Sequence, residues 1–181
     1  MNTTLALDGS TALTHLGVIR ARGADANTFL QGQLTNDMLS LDLGQARLAG
    51  FCSAKGRLQA SFIVWRAADD ELILVCSASL LPSTLKRLSM FVMRAKCVLS
   101  DASAELQLIG HVGGSAQVAI GHAAVWEQRL VDGVSTVRLP DAQGLARCLV
   151  AAPVGMPTPP PSGLSLDNWR WLEVRSGLPT I

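Results

Sequence analysis

Residues 29–37 read Phe-Leu-Gln-Gly-Gln-Leu-Thr-Asn-Asp, and residues 54–57 read Ala-Lys-Gly-Arg. Gln31, Gln33, Asn36, Asp37, Lys55 and Arg57 thus gather amide and charged groups in a chain that is 49% apolar and only 16% charged. An amide offers a donor and an acceptor side by side, which suits the polar edge of a flat heterocycle. A lysine and an arginine two apart on a hairpin loop suit a carboxylate, which arginine can hold with two parallel N–H bonds. Each residue also has a purely structural alternative. Gln31 can brace the end of a helix, Asn36 and Asp37 can cap the turn that follows, and Lys55 and Arg57 can be solvated loop charges. No nucleophile or general base accompanies these groups.

The elements that would position them follow from pattern. Residues 16–20 alternate as a strand that ends at Gly23. Asp25 can cap a helix running to Gln31, with Phe29 and Leu30 facing the core and Gly32 ending it. Residues 47–52 and 58–65 read as two strands joined by a 53–56 hairpin in which Gly56 takes positive φ. After a turn at Asp69 and Asp70, residues 71–76 form a strand buried on both faces. A helix then runs to about Arg94, its core stripe Leu81, Leu85, Leu88 and Phe91, with Lys86 and Arg87 facing water. Residues 96–99, 106–111, 134–139 and 146–151 are further strands, and 115–120 a short helix. Five prolines in 153–163 make that stretch an extended linker. Ser165 caps a last helix to about Ser176, stopped by Gly177 and Pro179. Trp169 and Trp171 cannot share a face of it. Interleaved strands and helices with an antiparallel hairpin give an α+β chain with mixed or antiparallel sheets and packed helices.

Composition narrows the function classes. A net charge of +1 argues against a broad nucleic-acid footprint. No apolar run reaches the ~18 residues of a spanning helix, and the first residues lack a secretory pattern, so the expected location is the cytoplasm. Cys52, Cys76, Cys97 and Cys148 are spaced and apolar in context, and His15, His111 and His122 are scattered. Neither a disulfide framework nor a metal site is expected.

Four segments in order, 16–26 (Leu-Gly-Val-Ile-Arg-Ala-Arg-Gly-Ala-Asp-Ala), 29–37, 54–57 and 171–179 (Trp-Leu-Glu-Val-Arg-Ser-Gly-Leu-Pro), resemble the YgfZ proteins. These are folate-binding relatives of the glycine-cleavage T-protein, an aminomethyltransferase, and are linked to iron–sulfur cluster maintenance and tRNA modification. The resemblance implies two interleaved ferredoxin-like lobes, one from 1–45 and 99–181 and the other from 46–98. It implies tetrahydrofolate or a related folate as ligand, bound by Gln31, Gln33, Asn36, Lys55, Arg57, Gln59, Trp171 and Arg175. Iron–sulfur proteins would be partners, without direct contact to nucleic acid or membrane.

Two departures bear on the chemistry. The family's Lys-Gly-Cys-Tyr-x-Gly-Gln-Glu segment and C-terminal barrel do not occur within these 181 residues, so the chain is expected to match the N-terminal part. The acidic pair that T-proteins carry after the hairpin turn falls at Gln59 and Ala60, and their pterin-contacting glutamate falls near Arg175. The expectation is therefore a folate binder without catalytic residues. An aminomethyltransferase-like enzyme and a non-catalytic interaction domain are the alternatives.

Overall fold

A computed structural model describes residues 7–181. The elements run β1 (Gly9–Ala12), β2 (Leu16–Arg22), α1 (Ala26–Gln31), β3 (Ala46–Cys52), β4 (Leu58–Ala68), β5 (Glu71–Ser77) and α2 (Leu81–Val92). They continue as β6 (Val98–Asp101), β7 (Leu106–Val112), α3 (Gly114–Ile120), β8 (Gln128–Val131), β9 (Val134–Ala142), β10 (Leu145–Pro153) and α4 (Leu166–Arg175). The architecture is α+β, with two five-stranded sheets ordered β1-β7-β10-β9-β8 and β3-β4-β5-β2-β6.

The described residues divide into two compact units. One runs through Leu13 and resumes over Gln107–Pro179; the other is Thr14–Leu106 with Thr180–Ile181. This differs from lobes divided at 45/46 and 98/99. The reason is strand pairing: β2 is antiparallel to both β5 and β6, from Leu16↔Ser77 to Arg22↔Val98. Residues 14–45 therefore belong with the hairpin and α2, not with the C-terminal half. The short β1 instead joins β7, antiparallel, with Gly9 opposite Val112.

In the 14–106 unit, one face of the sheet buries Ile19, Phe51, Phe62, Leu72 and Leu74 with Phe29 and Leu30 of α1 and Leu81 and Leu88 of α2. β5 is buried through Leu72–Cys76, as its unbroken apolar run requires. The stripe on α2 is Leu81, Thr84 and Leu88, continued by Leu85 and Val92. Phe91, expected in the core, is 47% exposed. Four residues on from Leu88 is Val92, which keeps the inward face, and Phe91 falls off it.

In the 107–179 unit, Ile109, Ala116, Ile120, Cys148 and Val150 form one cluster. Trp169 of α4 is fully buried, and a Cβ on Gly110 of β7 would stand only 2.5 Å from its ring. The guanidinium of Arg147, on β10, lies 4.5 Å from the same ring. Ser165 caps α4, its Oγ accepting from the Asn168 N–H at 3.1 Å. The proline-rich stretch is tied at its end to β1: Ser10 N–H donates to Ser162 O at 2.8 Å.

Candidate functional site

The β3–β4 hairpin and the start of α2 enclose an open cleft of about 910 Å³, entirely within the 14–106 unit. Its shape follows from local pairing. β3 and β4 are antiparallel with a bulge at Phe51/Cys52, which bends the strands where they enter the loop. Ser53 O accepts from Gly56 N–H, and Ser53 N–H donates to Arg57 O, both at 2.8 Å. Gly56 sits at φ +74° with open space where a side chain would stand, so the loop turns tightly and presents Lys55 and Arg57 outward. Residues 77–80 then lead β5 directly into α2, which brings Ser83, Lys86, Arg87 and Met90 to the same cleft.

Of the residues expected to bind, Lys55, Arg57 and Gln59 line this cleft. Gln59 Oε1 is buried and has no hydrogen-bond partner. Its neighbour Ala60 is in the core, since successive strand residues point to opposite faces. Only one of the two positions that carry the acidic pair in T-proteins therefore reaches the cleft, and it holds an amide. No Asp, Glu or His lines the cleft.

Gln31 and Asn36 are occupied otherwise. Gln31 Oε1 accepts from Met38 N–H at 2.6 Å and Leu39 N–H at 3.3 Å. Asn36 Nδ2 donates to Leu48 O at 2.7 Å, while its Oδ1 accepts from Asp37 N–H at 2.8 Å. Asp37 Oδ1 accepts from Leu39 and Ser40 N–H. Bonds to Ser40 and Leu39 and the charge of Arg47 hold the Asp37 carboxyl below its ordinary range. Thr35 is paired to Gly50 through its backbone and its Oγ1. The 31–40 segment is thus a braced loop that fixes α1 to β3. Gln33 is half-buried beside it and does not line the cleft. The Gln31 and Asn36 amides are thus spent on backbone groups of the segment and of β3.

Trp171 and Arg175 lie on α4, in the other unit, and pair with each other at 5.9 Å. With the Gln143 amide turned so that its oxygen accepts, Arg175 donates to it through Nη2 at 2.9 Å and Nε at 2.7 Å. They do not belong to the cleft. The residues that sequence reasoning passed over are Ser83, Lys86, Arg87 and Met90. Their spacing of three, four and seven from Ser83 marks one continuous helix face, which was legible as the outer face of α2 but not as the wall of a cleft.

The cleft is cationic without compensation. Lys55, Arg57, Lys86 and Arg87 all line it, and none makes an ion pair or a side-chain hydrogen bond among the described residues. Four arginines elsewhere are matched: Arg20 and Arg22 with Glu71, Arg129 with Glu127 and Arg138 with Asp141. Phe51, Leu58, Leu80 and Met90 give the cleft an apolar lining. Such a site can take up a flat, partly apolar anion.

Residues 9–128 match the family described as the GCVT N-terminal domain. An uncharacterized protein of Haemophilus influenzae is 32% identical over 102 residues, 56% of this chain and 36% of the relative. The tRNA-modifying protein YgfZ of Vibrio vulnificus is 34% identical over 108 residues, 60% of this chain and 32% of the relative. An aminomethyltransferase of Bacillus cereus is 26% identical over 96 residues, 53% of this chain and 26% of the relative. The chain thus spans about a third or less of the length of these curated relatives. Among solved structures, the glycine cleavage system aminomethyltransferase T from Bartonella henselae superposes with a TM-score of 0.71 at 18% identity, covering 82% of this chain and 43% of that one. That likeness shows the fold. With the family match extending over residues 9–128, the chain belongs to the GCVT N-terminal domain family.

Proposed function

We propose that this chain is the folate-holding part of a YgfZ-type protein, which acts in the cytoplasm in iron–sulfur cluster repair and tRNA modification and does not transfer aminomethyl groups. The observation that carries the reading is the lining of the cleft. Lys55 and Arg57 offer cations for the glutamate carboxylates of a tetrahydrofolate, and Gln59 adds an amide side chain to the same lining. The apolar lining suits the aromatic part of the ligand, and the volume falls within the ~300–1,000 Å³ usual for ligand sites. The names of the Vibrio and Bacillus relatives, a tRNA-modifying protein and an aminomethyltransferase, fit the two branches of that reading.

Absence of aminomethyl transfer follows from position 59. Proton transfer at a folate nitrogen gains roughly 10²–10⁴-fold from a positioned acid or base, and an amide supplies neither. The test is calorimetric titration of this chain with 5-formyltetrahydrofolate, for wild type, Arg57→Ala and Gln59→Ala. Saturable binding weakened by both substitutions is expected. Absence of saturable binding at millimolar ligand, or equal binding by all three, overturns the assignment. Folate-dependent release of ammonia by the wild type would return the protein to the transferase class.

A further inference from the structure

We infer that residues 156–161 are a presented polyproline ligand, and that their partner is a protein with a groove lined by aromatic side chains. The inference goes beyond the folate reading and does not depend on it. The segment reads Met-Pro-Thr-Pro-Pro-Pro, and its shape follows from covalent geometry. The rings of Pro157, Pro159, Pro160 and Pro161 each hold φ at about −65°. A residue before proline is pushed out of the helical region toward extended values, and Met156, Thr158, Pro159 and Pro160 all precede one. Together these restrictions leave a polyproline II conformation, and the segment is neither α-helix nor strand. Two anchors hold it. At its start, Gln107 Nε2 donates to Met156 O at 3.3 Å, and Met156 N–H closes a turn on Pro153 O at 3.1 Å. Past its end, Ser10 N–H donates to Ser162 O at 2.8 Å, and Gly163 forms a parallel bridge with Ser10. The backbones approach so closely there that a Cβ on Gly9 would stand 2.2 Å from Ser162 O. Both anchors lie in the same compact unit, so the segment does not join one unit to the other.

Between the anchors all four prolines are exposed, and the carbonyls of residues 157–161 accept no hydrogen bond among the described residues. A connection that only spanned from β10 to α4 would need no exposed apolar rings. Aromatic-lined grooves read this arrangement: proline rings along one edge of a polyproline II helix, with unpaired carbonyls for tryptophan and tyrosine donors. The rings and the two anchors also leave little conformational entropy to lose on docking. Three residues per turn put Pro157 and Pro160 on one edge, each preceded by an apolar residue, Met156 and Pro159. The segment offers that spacing once, because Thr158 stands three before Pro161 and Ser162 three after Pro159. No charged residue lies between Arg147 and Asp167. The groove is therefore selected by rings and hydrogen-bond donors and not by charge.

The experiment uses an isolated SH3 domain and an isolated WW domain as probes, since both carry aromatic-lined grooves. Each isotope-labelled probe is titrated with the whole chain as wild type, Pro157→Ala/Pro160→Ala and Pro161→Ala, and its groove resonances are followed by NMR. All three substituted positions are exposed, and circular dichroism verifies that the variants are folded. Saturable shifts in the groove of at least one probe are expected with the wild type. The double substitution is expected to weaken binding at least about tenfold, and Pro161→Ala, off the reading edge, less than about threefold. Raised salt should leave the wild-type affinity unchanged, because no charge takes part. Absence of saturable shifts in both probes at millimolar chain overturns the inference. So does binding that survives the double substitution, or an equal loss in Pro161→Ala. Sedimentation of the chain alone tests the remaining occupant: self-association abolished by the double substitution would place the edge on a second copy and overturn the assignment to a separate partner. Titration of the same variants with 5-formyltetrahydrofolate should match the wild type, so failure of either reading leaves the other standing.

Discussion

Arg147 offers the sharpest test of how the 107–179 unit is held together. Its side chain is fully buried on β10, with the guanidinium 4.5 Å from the Trp169 ring and Nη1 donating to Ser176 Oγ at 2.6 Å. Ser176 Oγ in turn donates to Glu173 O at 2.9 Å. Burial pushes the guanidinium down to about 10, against the opposing charge of Glu173, itself buried. Arg147→Ala removes the stack, worth about 0.5–2 kcal/mol, and the bond to Ser176, about 0.5–1.5 kcal/mol. It also leaves a cavity and removes a positive charge that Glu173 stabilises. Breaking one side of a buried charge arrangement costs about 3–5 kcal/mol, and since these contributions overlap, that is also the expected total. Arg147→Met is milder. It keeps the volume and abolishes Nε and Nη2, which are buried without partners, so a loss of about 1–3 kcal/mol is expected, from the hydrogen-bond and charge contributions alone. Urea unfolding followed by tryptophan fluorescence and circular dichroism measures both. A loss under 1 kcal/mol for Arg147→Ala, or a greater loss for Met than for Ala, refutes the claim that charge and stacking anchor α4.

Three further outcomes are expected. Gly110→Ala drives a Cβ into the Trp169 ring at 2.5–2.8 Å, and overpacking of this kind should destabilise by about 1–3 kcal/mol; an unchanged urea midpoint would show that α4 can shift. His111 is half-buried, its Nδ1 2.7 Å from Ser115 Oγ, and burial lowers its pKa. The unfolded chain therefore takes up the proton first, so the neutral ring's stabilisation is complete above the ordinary histidine value of ~6.5 and is lost as pH falls through the depressed folded value. His111→Gln should flatten the unfolding midpoint between pH 7.5 and 5, and an equally steep dependence in the variant would count against this. Burial pushes the thiols of Cys76 and Cys148 up to about 12, whereas Cys52 is half-buried; native alkylation followed by mass spectrometry should label Cys52 first, and faster labelling of Cys148 would show that the 107–179 core opens.

Legibility in the sequence followed the range of the interactions. The β3–β4 hairpin, the buried β5, the Ser165 cap and the burial of only one of Trp169 and Trp171 depend on neighbours a few residues away, and all appear as expected. β8 was missed although its signal was present. Asp132 and Gly133 have φ of 49° and 79°, and Val131 faces Val134; Asp-Gly between apolar residues is a strong hairpin signature. Gln143 and Gly144, with φ of 55° and 73°, join β9 to β10 in the same way. The allocation of residues 14–45 was not legible, because it depends on β2 choosing β5 and β6 over strands of the other sheet, and register between distant strands is not written in local pattern. For the site, sequence identified a cluster of polar side chains but not their directions. Gln31 and Asn36 satisfy the backbone, while Gln59, two residues past Arg57, keeps a buried carbonyl oxygen free.

Gln31 and Gln59 differ in what the backbone around each leaves for the side chain. Both sit next to a chain reversal, and both are half-buried. Gln31 ends α1, where backbone N–H groups of the following turn need acceptors, and Met38 and Leu39 N–H donate to its oxygen. Gln59 is on β4, as the extra residue of the bulge: Ala60 faces Phe51 and Leu58 faces Cys52, and Gln59 faces neither. Its Oε1 is buried without a partner, and a buried acceptor left unsatisfied costs about 1–3 kcal/mol. The fold supplies no compensation for that loss in the 14–106 unit, just as it supplies no carboxylate for Lys55, Arg57, Lys86 and Arg87. The deficit of negative charge is gathered on a single concave surface. An anionic ligand removes it, so binding should raise the unfolding midpoint of the 14–106 unit. The gain should grow with ligand concentration as RT ln(1 + [L]/Kd), about 2.7 kcal/mol at a hundredfold excess over Kd. A midpoint unchanged at a hundredfold excess of an anionic ligand over its measured Kd would show that the ligand binds elsewhere or binds the unfolded chain equally well.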